Sequence, residues 1–373
     1  MKYRQQLKGL QPYHPGKSAD DVKQAYGLQQ VIKLASNENP YGCSGKVSQA
    51  ISHELLNLSN YPDSSASELR KRVAEHLGVF QDQLIFGKGT DEIIHLLCRA
   101  YLEPGVNTVM SDFTFLQYKR NAIIEGAHVR EIPHLNGRHD IQKMIDAIDD
   151  KTNIVWVCNP NNPTGEYVRQ DELINLLESI DKSILVVCDE AYFEYVDADD
   201  FPDTISLLSD YPNLIVTRTF SKGYGLAALR IGYAVCDPEV VSTLNIVRET
   251  FNTSHLSQIG VMAALDDQSF IKECHLKNRQ ELEQYYRFCW RFGLSYYPSQ
   301  ANFIFIDMNM ESNKVAQHLL SKGFIIRPGS TFGKPTGLRI TIGTPKQNDS
   351  IIALLSHFVK VEANSQNSHM LSQ

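Results

Sequence analysis

The 373-residue sequence predicts an α/β protein with a mainly parallel sheet flanked by helices, plus a smaller α+β domain. Three observations carry this. Strand-sized, mostly β-branched runs recur between residues 84 and 236, and helical patterns separate several of them. Those runs are apolar nearly throughout, as strands covered on both faces are. After Arg248 the texture shifts to a long charged helical stretch followed by fewer strands. The length also favours a large domain with a smaller one attached.

Residues 1–45 lack strong periodicity and are punctuated by Pro12, Pro15, Gly16, Pro40 and Gly42. They read as an N-terminal arm that wraps another surface, with part of the small domain. Residues 46–250 form the large domain. Within it Ser65–Leu77 is a helix, with Ser65 as N-cap, Glu68 placed for a capping box and Gly78 as the stop. Leu84–Phe86 is a short strand and Asp91–Leu102 a helix with one apolar face. Thr108–Met110, Ile154–Cys158, Ile184–Cys188, Leu214–Thr217 and Ile231–Cys236 are strands, and Gln170–Ile180 is a helix. Residues 251–290 are linking helices, chiefly the charged stretch Gln268–Arg291. Residues 291–373 make the small domain, with strands Asn302–Asp307 and Leu338–Ile342 and a helix Lys314–Lys322. A further helix ends in a polar tail expected to fray from about residue 363.

Several functional classes drop out. A formal charge of −7, with no basic stripe, argues against nucleic acid. No run approaches the roughly 18 apolar residues of a membrane span, and the N-terminus has no signal-peptide segment. Seven cysteines, an odd number without a CxxC pair, suggest reduced thiols and a cytoplasmic location. Cys158 and Cys188 read as packing residues. The twelve histidines show no metal spacing, so no metal is expected.

The chemistry gathers at strand ends, where ligands of open α/β sheets bind. NPNNPTG (Asn159–Gly165), DEAY (Asp189–Tyr192), TFSKG (Thr219–Gly223) and GKGTDE (Gly87–Glu92) each follow a strand. GKGTDE offers two glycines and a helix start, a site for an anion such as phosphate. It fails as a dinucleotide fingerprint, because Glu92 stands where GxGxxG needs a small residue. GYGLAA (Gly223–Ala228) fails too, since the next strand begins by Ile231 and leaves no room for a long helix. Asp189 follows five apolar residues, so it needs either a cationic partner or a hydrogen-bond network.

A lysine flanked by serine, an Asp ahead of a Tyr, an NPTG turn and an arginine eight residues past the lysine together resemble the fold-type I pyridoxal-phosphate aminotransferases. The likeness runs nearly end to end, through PYHPGK, KLASNENPYG, YPD, RETFNTS, IIRPG and GLRITIGT. More narrowly it is similar to the histidinol-phosphate aminotransferases of class-II type. The resemblance implies a fold with a large and a small domain, pyridoxal 5'-phosphate as cofactor, and a homodimer with shared active sites. It implies amino transfer between L-histidinol phosphate and 2-oxoglutarate in histidine biosynthesis. An aromatic amino-acid (Phe/Tyr) aminotransferase, or one enzyme doing both, fits the same likeness.

The resemblance also assigns roles. Lys222 matches the lysine that binds the cofactor covalently and shuttles the substrate proton. Asp189 would keep the ring nitrogen protonated. Tyr192 and Asn162 would bond the ring oxygen, and Phe115 would stack on the ring where a Tyr is usual. Thr90 and Asp91, with Thr219, Ser221 and Arg230, would hold the cofactor phosphate. Tyr61 would reach the phosphate of the neighbouring subunit. Arg339 would grip the substrate's anionic group, with Arg327 and Tyr13 as further anion contacts; a structural salt bridge is the other reading of Arg327. Asn37 and Asn252 are placed near the crevice.

Overall fold

The structure, a computed structural model, describes residues 3–12 and 18–370. A short strand, Ile32–Lys33 (β1), precedes the main sheet. That sheet contains Leu84–Gly87 (β2), Asn107–Ser111 (β3), His128–Ile132 (β4), Thr152–Cys158 (β5), Leu185–Asp189 (β6), Leu214–Thr219 (β7) and Gly232–Val235 (β8). Its order is β2-β8-β7-β6-β5-β3-β4. The pairings β3–β4, β3–β5, β5–β6 and β6–β7 are parallel, whereas β8 is antiparallel to both β7 and β2. Every strand of this sheet except β8 therefore runs the same way, and the carboxyl ends share one edge.

The near-continuous apolar runs resolve into two alternating sets. On β5, Val155 and Val157 join one buried cluster, while Ile154, Trp156 and Cys158 join another. On β6, Val186 and Cys188 face the first cluster and Leu185 and Val187 the second. That is the period-two rule applied to a sheet covered on both faces. β4 carries no such signal. As an edge strand it leaves His128 and Glu131 exposed, so HVREI does not stand out in the sequence.

One expectation needs correction. The helix placed at Ser65–Leu77 begins at Ser67, and Ser65 does not cap it. Asp63 does that work, accepting from the amides of Ser65 at 2.8 Å and Ser67 at 2.7 Å. Its carboxylate reaches both amides across Ala66, which takes a left-handed φ of 47°. At the other end of the chain, the last helix runs Pro345–Met370.

The second sheet follows the 25-residue helix Gln268–Phe292. Ser295–Tyr297 (β9), Phe303–Asp307 (β10), Phe324–Ile325 (β11), Arg327–Pro328 (β12) and Gly337–Thr341 (β13) complete the strands. The order β12-β13-β10-β9 is antiparallel throughout, and β11 instead pairs parallel with β1. Leu34 accordingly packs in the same buried cluster as Leu282, Ile304, Leu338 and Leu355. Residues just after β1 thus run between the second sheet and the carboxyl edge of the first.

Candidate active site

That edge opens on a cavity of about 640 Å³. One wall is built by backbone. The helix Thr90–Tyr101 starts after Gly89, which has a φ of 73° and leaves the helix end without a side-chain cap. Its first amides and the positive end of its dipole face an arriving anion. The positive φ of Gly89 favours glycine, and a Cβ there would lie 2.8 Å from Arg230 Nη2, so the guanidinium would have to shift. Arg230 arrives because β8 is reversed. The chain leaves β7 at Thr219, turns through Lys222 and the short helix Ala227–Leu229, and re-enters the sheet at the same edge. Its guanidinium reaches Ser221 Oγ, the Lys88 carbonyl and Asp91 Oδ2, each at 3.4 Å. Contacts that long leave donor capacity for a ligand.

Asp189 ends β6 and is 2 % exposed. Among the described residues it has no ion pair. Oδ2 accepts from Tyr118 Oη at 2.6 Å and Oδ1 from Thr217 Oγ1 at 2.9 Å. Burial pushes its pKa up to about 6, and the charges of Asp91 and Glu190 add to that, while the two hydrogen bonds pull it down. A cation in the cavity would restore the charged form.

Lys222 projects from the turn after β7 and donates to the Ser36 carbonyl at 2.6 Å. Burial, joined by the charge of Arg339, lowers its pKa to about 8. The turn is clamped from outside: Asn39 Nδ2 holds the Gly223 carbonyl at 2.9 Å. Gly225, with a φ of 70°, packs so closely on the strap Asn39–Cys43 that a Cβ would sit 1.9 Å from the Gly42 carbonyl.

Side chains build the remaining wall. Arg339 on β13 donates to Asn162 Oδ1 and to the Ala35 carbonyl, both at 2.6 Å. Arg327 lies directly opposite it on β12. Paired strand positions place side chains on one face. No ion pair holds Arg327 among the described residues, so the salt-bridge reading of that residue has no support here. Asn37, at a φ of 58°, donates from Nδ2 to Tyr192 Oη at 2.9 Å and is itself held by Thr341. Burial raises the Tyr192 phenol well above its ordinary pKa.

The structure therefore brings Asn37, Thr90, Asp91, Phe115, Asn162, Asp189, Tyr192, Thr219, Ser221, Lys222, Arg230, Arg327 and Arg339 into one cavity. Tyr61 is not there. It is 81 % exposed and stacks on Phe251 with ring centres 4.5 Å apart. Tyr13 lies outside the described residues. Asn252 lines no part of the cavity; its Nδ2 donates to the Phe86 carbonyl and to Glu92, in the first turn of the helix that begins at Thr90. Sequence reasoning missed Tyr118, Thr217, Ser36 and Arg120. Tyr118 had one faint signal, its place one turn after Phe115 on the same helix.

The family model of class I and II aminotransferases matches residues 29–355. The chain belongs to the class I and II aminotransferases. Among curated relatives of this aminotransferase, a histidinol-phosphate aminotransferase of Geobacillus thermodenitrificans is 55% identical over 360 residues, 96% of this chain and 99% of the relative. One from Bacillus subtilis is 51% identical over 360 residues, 96% and 100% of the two chains. Among solved structures, the histidinol-phosphate aminotransferase of Sinorhizobium meliloti in complex with pyridoxal-5'-phosphate superposes with a TM-score of 0.88 at 26% identity, covering 96% and 98%. An aspartate aminotransferase of Thermus thermophilus with maleate gives 0.82 at 20% identity, covering 97% and 100%, and shows the shared fold.

Proposed function

We propose that the aminotransferase moves an amino group between L-histidinol phosphate and 2-oxoglutarate, giving imidazole-acetol phosphate and glutamate, with pyridoxal 5'-phosphate as cofactor. One observation carries the reading: a single cavity holds two anion-binding walls, with a lysine and a buried carboxylate also lining it. The residues fit the cofactor. The uncapped helix start, Ser221 and Arg230 suit its phosphate, Asp189 its ring nitrogen, and Tyr192 and the Asn162 amide its ring oxygen. Phe115 supplies an aromatic face. When bound, the cofactor supplies a carbonyl that exchanges amines and a ring that draws electrons from the substrate.

The protein does the rest. Lys222, with a pKa near 8, offers an un-ionised amine at mildly alkaline pH for attachment, and it moves the proton at the substrate Cα. Asp189, as a carboxylate, would keep the ring nitrogen protonated. Arg339 orients the substrate anion, and Arg327 beside it adds donors that suit a phosphate better than a carboxylate. Relatives at 51–55% identity named for histidinol phosphate favour it over phenylalanine or tyrosine as the main donor.

A homodimer extends the proposal. Leu56 is 93 % exposed, and Leu55, Leu58 and Tyr61 near it are also exposed. A second copy would cover that apolar stretch and bring Tyr61 toward its phosphate wall. The proposal keeps a large domain at 46–250, linking helices at 251–290 and a cytoplasmic location; among the described residues no helix is long and apolar enough to cross a membrane. The direct test follows glutamate formation from histidinol phosphate and 2-oxoglutarate, beside phenylalanine and tyrosine as donors. A preference for phenylalanine by orders of magnitude would replace this reading with the aromatic one.

A further inference from the structure

Asp189 meets the cavity with a donor on each oxygen. One of them, Tyr118, is fully buried and cannot swing. Its ring stacks on Trp156 at 4.7 Å and 12°. Trp156 is buried as completely and is pinned in turn, its Nε1 donating to Thr108 Oγ1 at 2.8 Å and that hydroxyl to the Ile154 carbonyl at 2.7 Å. Phe115 packs edge-on against Tyr118, with ring centres 5.5 Å apart. The phenol oxygen is therefore fixed beside Oδ2 by a chain of contacts that starts in the sheet core.

We propose that Tyr118 is a positioning residue for amino transfer: with Thr217 it keeps Asp189 ionised and turned to the cavity, so that a proton shared with the cofactor's ring nitrogen stays on the ring. The argument is one of competing bases. Burial favours the neutral form of Asp189, and the charges of the Asp91 and Glu190 carboxylates add to that. Two hydrogen bonds to the charged form work against all of these. Without them the carboxylate becomes the stronger base and takes the proton, and the ring loses the charge that draws electrons. The proposal rests on the reading of Asp189 as partner of the ring nitrogen.

The test is Tyr118→Phe in the holoenzyme, which removes the hydroxyl and keeps the stack. We expect kcat to fall roughly tenfold with KM for the amino donor unchanged within about threefold. We also expect the visible absorption band of the bound cofactor to titrate at a different pH from that of the wild type. Thr217→Val should move both quantities in the same direction, and Thr217→Ser should restore both. In an Asp189→Asn background, Tyr118→Phe should add nothing. Wild-type kcat and absorption in Tyr118→Phe, or a loss that multiplies with that of Asp189→Asn, overturns the proposal. Should Tyr118→Phe fail to fold, a Thr217→Val enzyme indistinguishable from wild type overturns it instead. An Asp189→Asn enzyme with normal turnover sinks the reading of Asp189 itself; an inactive one beside a normal Tyr118→Phe sinks only the role given to Tyr118.

Discussion

The two walls of the cavity proposed to bind anions are built on opposite plans. At the helix start after Gly89 most of the donors belong to the backbone, joined by one arginine whose own contacts are long. On the second sheet the donors are two arginine side chains on paired strands, one of them tied at 2.6 Å to Asn162 and Ala35. A backbone site offers fixed geometry and suits a resident group that stays through every cycle. Side chains can re-aim, which suits a site where a phosphate and a carboxylate must take turns. In the proposed roles Lys222 and Asp189 would act on either substrate, so their loss should be felt regardless of which anion is bound.

The largest effect should come from Lys222→Ala, which removes both the covalent link and the proton shuttle. Turnover should fall by about 10⁴-fold. Borohydride reduction of the wild type should mark one peptide, the one containing Lys222, and none in the variant; a mark on another lysine breaks the assignment. Asp189→Asn follows, with an expected loss of roughly 100-fold or more in kcat and little change in KM. Single-turnover absorbance with glutamate measures the step directly, and a normal rate there contradicts an electrostatic role.

Arg339→Ala and Arg327→Ala sharpen the contrast between the walls. Losing Arg339 should cost about ten- to a hundredfold in kcat/KM with histidinol phosphate and with glutamate alike. Losing Arg327 should cost roughly tenfold with histidinol phosphate and spare glutamate. Equal losses on both donors in the second variant would mean that the wall does not distinguish the two anions.

The smallest effect is one of pH. Lys222 carries a folded-state pKa of about 8, depressed from its ordinary value by burial. Only the neutral amine attaches the cofactor, so attachment should be fast above pH 8 and slow below it. The rate should fall about tenfold for each unit of pH below 8, read by stopped-flow absorbance on cofactor-free protein. A profile that bends near pH 10 instead would show that the lysine is not desolvated.

What could be read from the sequence follows the same division. Gly87–Gly89 and Asp189 declare themselves because each breaks an apolar run at a strand end, whereas Lys222, after Arg218, Thr219 and Ser221, was legible through the family resemblance. Glycine and charge are conspicuous there, so their positions were legible. Tyr118 and Thr217 were not. Each meets Asp189 from another element, Tyr118 across 71 residues, and neither residue type is out of place in a helix or strand. Ser36 and Ala35 were hidden for a deeper reason: they act through carbonyls, which every residue has. Ser65 was misread as a cap because Asp63, two residues earlier, competes for the same amides with a charged acceptor. The edge strand β4 was missed because it has one covered neighbour and no clean apolar run.

The pairing of β1 with β11 sets a timetable for synthesis. Ile32 waits for Phe324, and Asn37 waits for Thr341, 304 residues later. Ser36, which holds Lys222, and Ala35, which holds Arg339, sit on the stretch between these anchors. The main sheet can close once residue 235 has left the ribosome, but the strap over its carboxyl edge gains its strand partner only with Phe324–Ile325 and its Thr341 contact later still. At about 5–20 residues per second the growing chain carries an open cofactor cleft for roughly 5–20 seconds. The strap that borders the cleft is thereby completed only late in synthesis, when some of the first residues made meet some of the last.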